Sequence, residues 1–435
     1  MQDANKKMKR TPAKAGRRKF LANAVAGSAA ALGLSLAPSL LRAQERPIRI
    51  GASMPLTGRF SREANYCLEG YRLWAKHINE LGYSYGNESL SDKKPGLLNG
   101  RKVELTVLDD ASDPTTGARL VTRLIHDEKI DLLLSAYASS INMATRPIIE
   151  QAGIPTVAAS ASSQDIWLGQ NLKWFVQLMA PARDRFAGIE AACKDAGLKK
   201  VALLHIDDAM PIAASSGLTR RLKAAGLEIV LTEAYPVGIR DMVSLVRKAR
   251  DSGAEVLAGG GYTDDSILLA KAALSLKWTP KAIWHMADFG YPDFRNALGK
   301  NAAWHCGDTE WLTTADFPGN KQFVDAFRKE YNKEPEWLAA AGYGAGQILE
   351  ESVKRAKSID NRAAIRDIMF SLQRNTVFGR FRVNPLGSPD AGLQIGATRI
   401  GLQNQLENGQ LALKVIYPRE IATAKFVHPF RWESV

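Results

Sequence analysis

Past residue 45, short runs rich in aliphatic and β-branched residues alternate with longer stretches whose apolar positions recur at helical spacing. Residues 48–51 read as a strand, and Tyr66, Gly70, Leu73, Trp74, His77 and Ile78 follow on one helical face. Residues 103–108 are a second strand. Asp113 then caps a helix that begins after Pro114 and carries Leu120, Leu124 and Ile125 on one side. Residues 130–134 and 156–159 read as the third and fourth strands, with a helix over 139–151 between them that stops at Gly153. Strands alternating with helices of this length predict βαβ units and a parallel sheet.

The rhythm restarts downstream. Strands are predicted at 201–206, 229–234, 256–259 and 282–285, and helices at 213–225, 242–252 and 266–276. Two consecutive doubly wound α/β sheets follow from this order. Residues 320–332, 337–357 and 363–372 then read as helices with little strand between them. Strand-like runs close the chain at 380–383, 395–403 and 413–417. The polar stretch 84–100 reads as a surface loop, and no repeat of solenoid period is present.

A length of 435 residues suits two domains better than one core, and 46% apolar residues exclude global disorder. The net charge of +13 invites a nucleic-acid reading. Nine Lys/Arg and one Asp fall within residues 1–43, however, which leaves only +5 for the rest. No basic run with interleaved aromatics remains there, so a nucleic-acid partner is not expected. The first 43 residues instead have the layout of an export signal. Arg17-Arg18-Lys19-Phe20-Leu21 precede an Ala/Gly/Ser-rich stretch to Leu41, and Leu41-Arg42-Ala43 offers a cleavage site after Ala43. This resembles a twin-arginine (Tat) signal. A retained anchor is the alternative, although Gly27, Ser28, Gly33, Ser35 and Pro38 make the stretch only weakly apolar.

Ile48-Arg49-Ile50-Gly51 followed by Pro55-Leu56-Thr57-Gly58 resembles the opening of the leucine/isoleucine/valine-binding protein family. Asn99-Gly100-Arg101-Lys102-Val103, Asp109-Asp110, Asp113-Pro114, Gly153-Ile154-Pro155 and Gly259-Gly260-Gly261-Tyr262 continue the resemblance in order, as does Gln322-Phe323-Val324-Asp325-Ala326-Phe327. It covers roughly residues 46–430. It implies a type I periplasmic binding protein: two doubly wound α/β lobes joined by three crossovers, with ligand held between them. The crossings would fall near 178–183, 308–313 and 376–380. Lobe one would be 46–180 plus 313–377, and lobe two 181–312 plus 378–435. Cys67 and Cys193 would then lie on helices of different lobes, and no disulfide among the three cysteines is expected. The implied activity is capture of a small molecule (amino acid, amide or organic acid) in the periplasm for an ABC permease in the inner membrane. No enzyme activity, cofactor or metal is implied.

The third strand leads into Ser135-Ala136-Tyr137-Ala138-Ser139-Ser140 at a helix start. Free N–H groups and the partial positive charge there suit a carboxylate. The resemblance places Tyr137, Ala138 and Ser139 against the ligand, while Ser139 is equally placed to cap the helix. Ala161 and Ser162 after the fourth strand match ligand-facing positions of the family, and Ser162 with Asp165 also has capping-box spacing. An α-amino group needs an anion from lobe two. Asp264, beside Tyr262 after the glycine run, and Asp288, after the strand ending at His285, are the two sources.

Where the family commonly has Tyr-Gly, this chain has Asp207-Asp208-Ala209-Met210-Pro211. Met210 can pack on a ligand but cannot supply a hydroxyl bond. Arg59 in the first cleft loop can pair a second carboxylate. These departures put branched-chain amino acids in doubt and keep amides, urea, and aromatic or dicarboxylic acids open. A soluble ligand sensor serving a membrane receptor is the other alternative. An enzyme fits less well. The six histidines (His77, His126, His205, His285, His305 and His428) show no zinc-helix spacing, and Gly342-Tyr343-Gly344-Ala345-Gly346 follows no strand, so close helix packing explains it better than a phosphate loop.

Overall fold

The structure, a computed structural model, describes residues 46–433, all within one unit of contacts. The proposed export signal and its cleavage site after Ala43 lie outside the described residues.

Alternating apolar runs produce the expected alternation of elements. The first half runs β1 (Ile48–Met54), α1 (Ser61–Leu81), β2 (Val103–Asp109), α2 (Pro114–His126), β3 (Leu132–Leu134), α3 (Ser139–Ala152), β4 (Thr156–Ala158) and β5 (Phe175–Gln177). These strands are parallel throughout, in the order β2-β1-β3-β4-β5. The second half runs α4 (Ile189–Ala196), β6 (Lys200–Ile206), α5 (Ala209–Ala224), β7 (Glu228–Tyr235), α6 (Val243–Asp251), β8 (Val256–Gly260), α7 (Thr263–Ser275), β9 (Ala282–His285), α8 (Pro292–Leu298) and β10 (Cys306–Thr309). Its parallel strands repeat the same order, β7-β6-β8-β9-β10.

Three helices follow, α9 (Asn320–Tyr331), α10 (Trp337–Ala356) and α11 (Arg362–Ser371), and then a short ribbon of β11 (Arg374–Asn375) and β12 (Arg380–Phe381). α10 packs along α1 and so belongs with the first sheet. The hairpin of β13 (Ile400–Glu407) and β14 (Gln410–Tyr417) adds antiparallel to β10 and completes the second sheet.

The order within each sheet is that of a doubly wound α/β fold, and its strand order reverses beside the first strand. In the first sheet that switch point lies between β1 and β3; in the second it lies between β6 and β8. β3 and β4 are buried along their whole length, as expected of parallel strands covered by helices on both faces. Asp113 caps α2 as read from the sequence, its carboxylate accepting from the Thr116 N–H at 2.7 Å, with Pro114 in the first turn.

Several boundaries differ from the sequence expectation. α5 starts at Ala209 rather than 213, because Asp208 caps it and Pro211 falls in the first turn, where a missing N–H costs nothing. The strand expected over 395–403 begins only at Ile400. β5 and β10 were not expected: one is three residues long and the other contains Gly307 and Asp308. The three cysteines are free and buried. Among the described residues no helix is long and apolar enough to cross a membrane.

Candidate functional site

Each switch point sends a loop and a helix start toward the other lobe. From the first lobe, β3 leads through Ser135 and Tyr137 into α3, and β4 leads into Ser160 and Ser162. From the second, β6 leads through Asp208 into α5, and β8 leads through Tyr262 into α7. Gly259 permits the last approach. It sits at φ 158°, and a Cβ there would collide with the Leu204 carbonyl oxygen.

These loops converge on a narrow chamber, partly open to solvent, with room for little more than one water molecule in this arrangement. Tyr137, Ala138, Ser139, Ser160, Ser162, Met179 and Trp337 line it from the first lobe, and Arg185, Met210 and Tyr262 from the second. Six of the nine residues expected from the sequence (Tyr137, Ala138, Ser139, Ser162, Met210 and Tyr262) thus border one space. Asp288 stands behind Trp337, whose indole N–H donates to Oδ1 at 3.3 Å. Ala161 turns into a core cluster, and its carbonyl already accepts from Gln177 Nε2 at 2.9 Å. Asp264 lies outside the chamber on an exposed rim, 2.9 Å from Arg62.

Ser139 does not cap α3. The cap position is Ala138, which offers no side-chain bond. The Ser139 Oγ instead accepts from the Ser162 and Ser163 N–H groups at 3.2 and 3.0 Å, tying the two cleft loops of the first lobe together. Without a side-chain cap, the first-turn N–H groups of α3 remain the kind of donors that favour an anion. The buried Ser140 hydroxyl beside them has no partner. The capping box read at Ser162 and Asp165 does not form either. The short turn Gln164–Ile166 follows Ser163, which makes no side-chain cap bond.

The lobes touch around the chamber. Arg59 Nη2 lies 3.1 Å from Asp208 Oδ2, the Tyr262 hydroxyl donates to the same oxygen at 2.9 Å, and the Thr263 hydroxyl donates to Glu63 at 2.7 Å. Phe60 meets Tyr137 and Tyr262 edge to face, with centroids 5.5 and 5.0 Å apart. Arg59 is therefore committed to the protein's own Asp208 in this arrangement. Burial pushes the Tyr137 and Tyr262 hydroxyls well above the ordinary phenol range, so both stay protonated. Among the described residues no group of three or more His, Cys, Asp and Glu side chains is placed to hold a metal.

Sequence reasoning missed Ser160, Met179, Arg185 and Trp337. Arg185 sits in the charged run Arg183-Asp184-Arg185, which reads as an exposed loop. Yet it is 3% exposed. Trp337 opens a helix that follows another helix, and no periodicity reveals that its first turn faces the opposite lobe.

Asp288 has a measurable consequence. It holds a left-handed φ of 60°, which Asp tolerates better than most residues. Burial, reinforced by the Glu63 charge, pushes its carboxyl up from 3.8 to about 7. The folded protein therefore keeps a proton that the unfolded chain releases. That contribution to stability is whole below about pH 4 and is lost as pH rises to about 7. Asp288→Asn is expected to flatten this part of the profile, so that urea midpoints of the variant fall less between those limits. Identical slopes for variant and wild type would contradict it.

Known proteins are similar to this chain in sequence and fold. Leu/Ile/Val-binding protein homolog 8 of Brucella abortus is 24% identical over 425 residues, covering 91% of this chain and 96% of that one. The leucine-binding protein of Thermotoga maritima superposes with a TM-score of 0.71 at 22% identity, covering 86% of this chain and 100% of that one. A solute-binding protein of an ABC transporter from Rhodopseudomonas palustris, solved with 3,4-dihydroxybenzoic acid, gives 0.72 at 19%, covering 89% and 99%. Residues 47–397 match the sequence profile of the periplasmic binding proteins, and with most of its length inside that match the chain belongs to this family.

Proposed function

We propose that this protein is a periplasmic solute-binding protein that captures an amino acid or a closely related small polar metabolite and presents it to an ABC permease in the inner membrane, without catalysis. The reading includes export with removal of residues 1–43 after Ala43. It takes lobe one as 46–180 plus 313–377 and lobe two as 181–312 plus 378–435. The observation that carries it is the chamber at the meeting of both switch points, where α/β sheets bind their ligands. In this reading Tyr137, Ala138, Ser139, Ser162, Met210 and Tyr262 contact the solute, with Asp288, behind Trp337, as the carboxyl group offered to an amine. Ala161 acts through the loop it shares with Ser162, and Asp264 acts only at the rim. Release through opening of the lobes would break the Arg59–Asp208 and Glu63–Thr263 contacts, a hinge motion of ordinary kind.

The rings of Tyr137, Tyr262 and Trp337 favour a second reading, an aromatic acid, which has the precedent of the dihydroxybenzoate-bound relative.

A thermal-shift panel of amino acids, amides, urea and aromatic and dicarboxylic acids tests both. A solute at a hundred times its dissociation constant stabilises the fold by about 2.7 kcal/mol. Ser139→Ala removes the acceptor that aligns the Ser162 and Ser163 amides, and is expected to weaken the best solute by about 1–2 kcal/mol. Undiminished affinity in that variant would place the solute elsewhere.

A further inference from the structure

Two arginines are essentially buried in the second lobe near the cleft, and they are treated differently. Arg399 is matched by Asp308 at 2.7 Å and Glu310 at 2.5 Å. Arg185 has no carboxylate within ion-pair distance among the described residues. Among the described residues its side chain makes one hydrogen bond, from Nη1 to the Met286 carbonyl at 2.9 Å, and its buried Nε has no partner. Its guanidinium lies 5.9 Å from the centre of the Trp337 ring, and the side chain borders the chamber. Asp308, Asp288 and Glu310 balance its charge only from a distance. A buried cation without a paired anion is costly, and a guanidinium keeps its charge at any physiological pH.

We propose that Arg185 is the specificity-determining residue of the chamber, its planar fork taking the carboxylate of the solute and so selecting organic acids over their neutral or cationic amides. The inference rests on the chamber being the solute site. The fork geometry of a guanidinium matches a carboxylate in two parallel bonds, which a lysine cannot reproduce. The α3 N-terminus, across the same chamber, adds uncapped N–H groups for a second oxygen. Amino acids and aromatic acids share this carboxylate. They differ in whether Asp288 then meets an amine.

The test is calorimetric titration of the wild-type protein with two matched pairs, leucine with leucinamide and benzoate with benzamide. At least one acid is expected to bind about tenfold or more tightly than its amide, the value of one charge-assisted hydrogen bond. Leucine as the winning acid identifies the amino-acid source, and benzoate the aromatic one. Arg185→Met is expected to abolish the preference and Arg185→Lys to restore part of it. Unfolding midpoints without solute establish that each variant is folded, and the wild-type preference stands apart from any variant. Acid and amide bound equally by the wild type would overturn the inference, as would a preference that survives in Arg185→Met. Binding of neutral solutes alone, such as urea or acetamide, would overturn the role of Arg185 and leave the chamber as a solute site.

Discussion

Arg399→Met is expected to destabilise the folded protein by about 3–5 kcal/mol, because it strands two buried carboxylates. The Arg399 side chain is 2% exposed and lies against Asp308, Glu310 and the Ala180 carbonyl. The two acids also anchor backbone. Asp308 accepts from the Phe186 N–H at 2.5 Å, and Glu310 accepts from the Ala180 N–H at 2.5 Å. One cluster thus fastens the segment leaving β5, the segment leaving β10 and the approach to β13. Burial already pushes the Glu310 carboxyl up, with Arg399 as the charge that opposes it. The triple change Arg399→Met, Asp308→Asn and Glu310→Gln removes all the charges together and is expected to recover much of the loss. Guanidinium unfolding measures both. A loss below about 1 kcal/mol for Arg399→Met would show that the cluster is not what holds these three segments together.

The second large effect concerns the glycine-rich stretch of α10. In an exposed helix, Gly→Ala gains about 1 kcal/mol. At Gly342 the sign is expected to reverse, with a loss of about 2–3 kcal/mol. A Cβ at Gly342 would collide with the Cys67 carbonyl oxygen of α1 and lie 3.3 Å from Gly70 Cα. Reciprocally, a Cβ at Gly70 would collide with the Ala339 carbonyl oxygen. Both obstacles are backbone, so no side chain can turn aside. The two helices can separate only by pulling α10 off the first lobe, and α10 carries Trp337 to the chamber. Gly342→Ala is therefore expected to lower the unfolding midpoint and weaken solute binding together. A stabilised variant would mean that α1 and α10 are not in this close contact.

Which features were legible follows from what made them. Asp113 with Pro114 specifies a helix start locally, and it forms. The periodic runs likewise place both sheets in their order. Ser139 and the Ser162/Asp165 pair carry the same kind of local signal, yet neither caps, because both loops are tied to each other across the first lobe through the Ser139 hydroxyl. β10 was hidden because its Gly307 and Asp308 serve the crossing rather than a strand pattern. Arg185 was hidden because local sequence cannot tell a solvated arginine from one turned inward. Met210 moved into a helix because its neighbour Pro211 reads as a breaker but occupies a first turn. Local chemistry thus showed in the sequence, whereas contacts between lobes did not.

The chamber between the lobes is expected to hold the solute. A crystal structure of the protein with the first solute that stabilises it tests this most directly. The solute is expected between the α3 N-terminus, Arg185, Tyr262 and Trp337, with its carboxylate on the guanidinium. A solute found instead in the neighbouring groove lined by Phe289, Trp311 and Leu413, with the chamber unchanged, would contradict it.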